Sequence, residues 1–271
     1  MRQVPLILGG HSYIRQLGSD PKPDPHAIDQ IVRACIDQGL DCFDTTYRPE
    51  RIALGDSLRR LGLAAAARII AWNFFHMFDD DQDVGGPDYY RPEHLQQILD
   101  DAHVQQLDGL VVHRLADETL NERQEELAIQ WKNAGHVQRL GLWSPGESVV
   151  HFARRNEYDF VVEPFNLTTG SKERIALCRS LGLKTYVCSP YVRGWKLDKM
   201  VAAASRNPGL SPAEAQARVA DGLLRYALFE SGADCLIVSM RKAQWIGRNI
   251  ESCQRGPLSD DEMRWLKALR T

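Results

Sequence analysis

The chain has 271 residues, 44% of them hydrophobic and 25% charged, with a formal net charge of -3 at pH 7. This is the balance of a soluble globular protein, and it argues against a nucleic-acid binder, whose surface is strongly basic. No apolar run approaches the roughly 18 residues of a membrane helix, and the opening "MRQVPLILGGHSY" is apolar over too short a stretch for a secretory leader.

In chain order, the first apolar run is "VPLIL" (4–8), followed by Gly9-Gly10-His11-Ser12-Tyr13. "DPHAIDQIVRACIDQGL" then reads as a helix, with Asp24 as cap, Pro25 at the first helical position and Gly39 at the end. Its apolar residues Ile28, Ile31, Val32 and Cys35 share one face. The run "LDCF" (40–43) leads into Asp44-Thr45-Thr46-Tyr47, where Asp44 is placed either to cap a helix around Glu50 to Leu61 or to do chemistry. "RIIAW" (68–72) ends at Asn73. The acidic stretch "FDDDQD" (78–83) reads as a solvated loop, since it lacks the Gly and Glu spacing of a calcium loop.

After the helical "RPEHLQQILDDA" comes "GLVV" (109–112), ending at His113-Arg114. "NERQEELAIQWKNAG" separates it from "RLGLW" (139–143), which is followed by Ser144. "FVVEP" (160–164) precedes Phe165 and Asn166, and "SKERIALCRSLG" precedes "TYVCS" (185–189). The helix "SPAEAQARVADGLLRYALFESG", with Ser211 as cap, Pro212 next and Gly232 at its end, leads to "CLIV" (235–238) and then Ser239-Met240-Arg241.

Eight short apolar runs alternating with helices predict a (β/α)8 TIM barrel of class α/β. A doubly wound sheet is the rival, but the segment after the first run lacks the G-x-G-x-x-G spacing of that fold. No linker or composition break appears, so residues 1–271 read as a single domain. The six cysteines lie far apart with no C-x-x-C pair, which reads as reduced, mostly buried thiols of a cytoplasmic protein and gives no metal site.

In such barrels the chemistry gathers at the carboxyl ends of the strands. Asp44, Tyr47 and His113 are the acid–base groups at neighbouring ends. Singly, the Tyr and the His read as wall residues; together they read as a catalytic set. A phenol of pKa near 10 needs a neighbour's help to act as an acid at neutral pH. His76, His94, His103, His136 and His151 read as surface or helix residues.

Five stretches in order resemble the aldo-keto reductases: "QGLDCFDTTYRPERIALGDSLRRLG", although two residues are missing between Asp and Tyr, "LDGLVVHRLAD", "TYVCSPYVRG", "CLIVSMRKAQWIGRNIE" and the terminal "LSDDEMRWLKAL". The resemblance implies an NADPH-dependent carbonyl reductase with an Asp, a Tyr, a Lys and a His at its centre. Asp44, Tyr47 and His113 fall on three of these, and Asn73 falls where the family has Lys. With no ammonium, Asp44 is expected to be partly protonated or paired with Arg48 or Arg51.

The nicotinamide site also departs from the family. Trp143-Ser144 stands for Ser-Asn, Val162 for a Gln, Cys188 for the stacking aromatic and Arg248 for the Glu of a Glu-Asn pair whose Asn249 remains. The residues left for a dinucleotide are Ser144, Ser189, Ser239, Arg241 and Asn249, and a pocket of Asn73, Phe74, Trp143, Phe165 and Tyr191 is expected for a small-molecule substrate. The leading expectation is therefore an enzyme without a cofactor, doing elimination, dehydration or isomerisation on a small carbonyl-bearing or hydroxylated substrate. The alternatives are an atypical NADPH-dependent reductase and a non-catalytic binding protein on the same scaffold.

Overall fold

Each apolar run forms a parallel strand, and in the computed structural model the eight strands pair in chain order to close one barrel. They are β1 (Leu6–Gly9), β2 (Cys42–Thr45), β3 (Arg68–Trp72), β4 (Leu107–His113), β5 (Val137–Trp143), β6 (Phe160–Pro164), β7 (Lys184–Cys188) and β8 (Cys235–Val238). β1 pairs with both β2 and β8, so no edge is left open for pairing with another chain. The structure describes residues 4–15, 22–78, 85–144, 146–155, 157–191, 195–206 and 209–269. Most of the acidic stretch at 78–83 lies outside them.

The connecting helices among the described residues are α1 (Pro25–Asp37), α2 (Arg48–Leu61), α3 (Pro92–Ala102), α4 (Glu118–Asn133), α5 (Ser148–Ala153), α6 (Lys172–Ser180), α7 (Trp195–Ala204), α8 (Pro212–Arg225), α9 (Ala243–Gln254) and α10 (Asp260–Ala268). The capping signals act as their chemistry predicts. Asp24 accepts the Ala27 N–H at 2.8 Å, and Ser211 and Glu214 satisfy each other's backbone N–H groups. The long helix expected after Ser211 is instead α8 followed by a π-helical turn, Tyr226–Glu230. None of the described helices is long and apolar enough to cross a membrane.

Two strand boundaries matter for the site. β2 starts later than its apolar run suggests and includes Asp44, opposite Gly9 of β1 and Ile70 of β3. β4 extends to His113, opposite Trp143 of β5. Both residues are therefore fixed by ladder hydrogen bonds rather than carried on loops.

Side chains alternate in and out along each strand. Ile7, Ile70, Val111, Phe160, Val162, Tyr186 and Ile237 pack together inside the barrel, and the opposite faces pack on the helices. Phe160 fills the middle of the barrel because its neighbours are glycines. A Cβ at Gly141 would lie 2.3 Å from the Phe160 ring, and one at Gly109 3.1 Å. Below that ring Arg139 reaches inward, donating to the Tyr186 hydroxyl at 2.5 Å and pairing with Asp108. All six cysteines are free thiols.

Candidate active site

A cavity of about 300 Å³ opens at the carboxyl ends of the strands. Asp44 lines it from β2, Tyr47 from the cap of α2, His113 from β4 and Trp143 from β5, with Phe74 and Tyr191 completing its aromatic wall. Cys188, Ser189 and Ser239 line the side nearest β7 and β8.

Asp44 is buried at the centre of this arrangement. Its Oδ1 accepts a 2.6 Å hydrogen bond from the Trp72 indole, and its Oδ2 a longer one, 3.4 Å, from Thr46. Burial pushes the carboxyl up to about 7, against the stabilising indole bond; the charge of Glu50 adds to the rise and His11 opposes it. Neither arginine considered as its partner is engaged there. Arg48 pairs with Asp101 at 3.0 Å, and Arg51 donates to the carbonyls of Trp72 and Phe74 at the end of β3. Asp44 also does not cap α2, whose N-cap is Tyr47.

Tyr47 is held by its backbone: its N–H donates to Glu50 Oε2 at 3.0 Å. Its ring meets Phe74 and Phe78 edge-on at 5.1 and 5.5 Å. His113 packs edge-on against Phe74 at 5.4 Å and lies 5.9 Å from Trp143. Burial pulls its pKa down to about 4, so the ring is neutral at pH 7, with one donor and one acceptor nitrogen. Its Nδ1 is buried with no hydrogen-bond partner among the described residues.

Two pocket residues expected from the sequence are not in the cavity wall. Asn73 is fully buried on the outer side of β3. Its Nδ2 donates to the carbonyls of Asp88 and His113 and to Gln124 of α4, and its Oδ1 accepts the His113 N–H at 2.9 Å. The reason is strand parity: Asp44 faces Ile70 across the ladder, so the next inward side chain of β3 is Trp72 and Asn73 must turn out. Phe165 follows the same logic; it stacks on Tyr226 at 5.8 Å in the layer between barrel and helices.

Of the residues suggested for a dinucleotide, Ser189 and Ser239 lie in the cavity wall. Ser144 is turned away and shares a 2.8 Å hydrogen bond with Ser148. Arg241 donates to the Ile14 carbonyl at 2.7 Å, and Asn249 sits half-buried on α9. The structure therefore brings Ser189 and Ser239 to the cavity and leaves the other three outside its wall.

His11 and Glu50 are residues to which the sequence reading gave no role. Glu50 is buried on α2, and its Oε1 lies 3.1 Å from His11 Nδ1 at the cavity rim. The spacing signal was legible: a Glu three residues after the helix cap is the second half of a capping box, and here its other oxygen does accept the cap N–H.

No protein-family model matches the sequence, and no curated protein matches it significantly. Solved structures do match. One is an aldo-keto reductase from Bacillus halodurans in its holo form, 14% identical, with a TM-score of 0.70 over 98% of this chain and 91% of that one. The fold is that of the aldo-keto reductases. Two structures described as an aldo-keto reductase of Pseudomonas aeruginosa agree, at 18% and 17% identity, with TM-scores of 0.66 and 0.67 over 93% of this chain and 89% of theirs. Within this aldo-keto-reductase barrel, the side chain that meets Asp44 from β3 is an indole.

Proposed function

We propose that this protein is an enzyme that moves protons rather than hydride, acting on a small carbonyl-bearing or hydroxylated molecule without a cofactor. The observation that carries this reading is Asp44. It faces the cavity, and burial pushes its carboxyl up to about 7, near the operating pH at which acid–base catalysis is most effective. An enzyme that needs a phenol to act as an acid gains from a nearby ammonium, but none of the described residues lining the cavity is Lys or Arg.

The nicotinamide dinucleotide associated with this fold finds little to hold it. The Ser144 hydroxyl is paired with Ser148, and the Trp143 indole stands in the cavity wall between Trp72 and His113. The residues present do not fit that group, and the chemistry is derived without it.

In this reading Asp44 takes a proton from the carbon beside a carbonyl. The Tyr47 hydroxyl and neutral His113 hydrogen-bond the oxygen on which charge develops. Return of the proton to the former carbonyl carbon, with the neighbouring hydroxyl proton passing to the first oxygen, completes an isomerisation; loss of a β-hydroxyl with that proton, as water, completes a dehydration. Trp143, Phe74 and Tyr191 set the shape of what can enter.

The test is a panel of small hydroxy-aldehydes and hydroxy-ketones in D2O, followed by proton NMR. Catalysed deuterium incorporation beside the carbonyl is expected with no nucleotide added, and Tyr47→Phe is expected to slow it by about tenfold or more. NADPH is expected to leave the melting temperature unchanged. Micromolar NADPH binding, or NADPH consumption with any of these compounds, would overturn the reading.

A further inference from the structure

We propose that His11, oriented by Glu50, is a second proton-carrying catalytic residue of this cavity, working as the partner of Asp44. This rests on reading the cavity as a proton-transfer site. Three independent features of the fold build the pair. Glu50 is carried on the first turn of α2 and is wholly buried, whereas the His11 side chain is 27% exposed on the cavity side. The two meet at Nδ1 and Oε1, 3.1 Å apart, while the second Glu50 oxygen is fixed by the Tyr47 N–H. Room for the carboxylate comes from Gly10, where a Cβ would lie 2.1 Å from Glu50 Oε2. The backbone next to the histidine is thus shaped around the acid that holds it.

The contact is one of charge and proximity. Glu50 Oε1 makes no hydrogen bond among the described residues, so the buried carboxylate 3.1 Å from Nδ1 is open to stabilise the imidazole when it becomes charged, while Nε2 lies on the opposite edge of the ring as the base. The groups facing His11 among the described residues include Glu50 from α2, Asp44 from β2 and the Tyr47 ring, 5.6 Å away and edge-on. Asp44 and His11 line the same cavity from adjacent strand ends.

With His11 as the base, Asp44 starts the cycle protonated and acts as the acid, the reverse of the role it takes when it works without His11. His11 Nε2 takes the proton from the carbon beside the carbonyl, the C–H electron pair becomes the enol double bond, and the carbonyl π pair takes the Asp44 proton. The neutral enediol is left between a carboxylate and an imidazolium. The imidazolium gives its proton to the former carbonyl carbon while the carboxylate takes the proton of the other enol hydroxyl, which becomes the new carbonyl, and both groups return to their starting forms. No oxidant or reductant is required.

The experiment compares wild type, His11→Ala, Asp44→Asn and Glu50→Gln by deuterium incorporation across pH, with an NMR titration of His11. His11→Ala is expected to lower the rate about 100-fold with an unchanged melting temperature. Glu50→Gln, which keeps an acceptor for the Tyr47 N–H, is expected to lower the His11 titration midpoint and move the rate profile with it. A His11→Ala rate within about threefold of wild type, while Asp44→Asn is inactive, overturns this proposal and leaves the reading of the site standing. An unmoved His11 midpoint in folded Glu50→Gln also overturns it. Absence of exchange in the wild type sinks the underlying reading and this one with it.

Discussion

Asp44→Asn is expected to lower the rate of proton exchange by about 10²- to 10⁴-fold while making the protein more stable at pH 8. The amide keeps an oxygen to accept the Trp72 indole bond, so the geometry of the site is retained. What disappears is the ionisable group. Below pH about 4 the Asp44 carboxyl is protonated in both the folded and unfolded chains. Between about 4 and 7 the unfolded chain releases the proton and the folded chain keeps it, so the contribution of Asp44 to stability falls as pH rises. Above 7 the cost is complete, on the order of 4 kcal/mol for a shift of about three pKa units. Thermal melts at pH 4 and pH 8 should therefore show no gain at the lower pH and a gain of several degrees at the higher one. An equal gain at both would mean that the carboxyl is not held in its neutral form. His113 works in the opposite direction: its depressed pKa makes the fold lose stability as pH falls from about 6.5 towards 4.

A lysine placed at position 73 and one placed at position 72 are expected to behave as opposites. The sequence resemblance suggests Asn73 as the position of the family's cation, but Asn73 is buried outside the barrel in four hydrogen bonds that tie the end of β3 to β4 and α4. Asn73→Lys removes the acceptor of the His113 N–H and forces a longer chain into a closed site, costing about 3 kcal/mol or more. It should leave the Asp44 titration where it was. Trp72→Lys instead brings an ammonium to the carboxyl that the indole now contacts, and a cation at that distance lowers a carboxyl pKa by about 1–3 units. Carboxyl NMR titration of the two variants decides the matter. If Asn73→Lys lowers the Asp44 midpoint and Trp72→Lys does not, the assignment of inner and outer faces at the end of β3 is wrong.

These two residues also show where the sequence stops being legible. The run at 68–72 announced a strand, and the order of runs and helices announced the barrel, because burial on both faces leaves a mark on every residue of a strand. Which of two neighbours points inward depends on register with the next strand, a property of two segments that neither encodes alone. Counting from the Asp44–Ile70 pairing would have selected Trp72 over Asn73, but that pairing is visible only in the folded chain. Phe165 was misplaced for the same reason. Ser144 and Arg241 find partners, Ser148 and the Ile14 carbonyl, that no motif predicts. His11 and Glu50 lie on different elements, and their pairing requires the 3₁₀ turn Gly10–Ser12 after β1 to meet the first turn of α2. The indole bond that Asp44 accepts from Trp72 was not foreseen.

The filled lower half of the barrel gives this molecule unusual latitude. With Phe160 wedged over Gly109 and Gly141 and Arg139 tethered beneath it, the barrel is filled at one pole and opens into the cavity at the other. Replacements around the mouth can accumulate without dissolving the frame, whereas a methyl group added at Gly141 would split it from within. Such an apportionment allows a lineage to trade one reaction for another while the shape it inherited stays put.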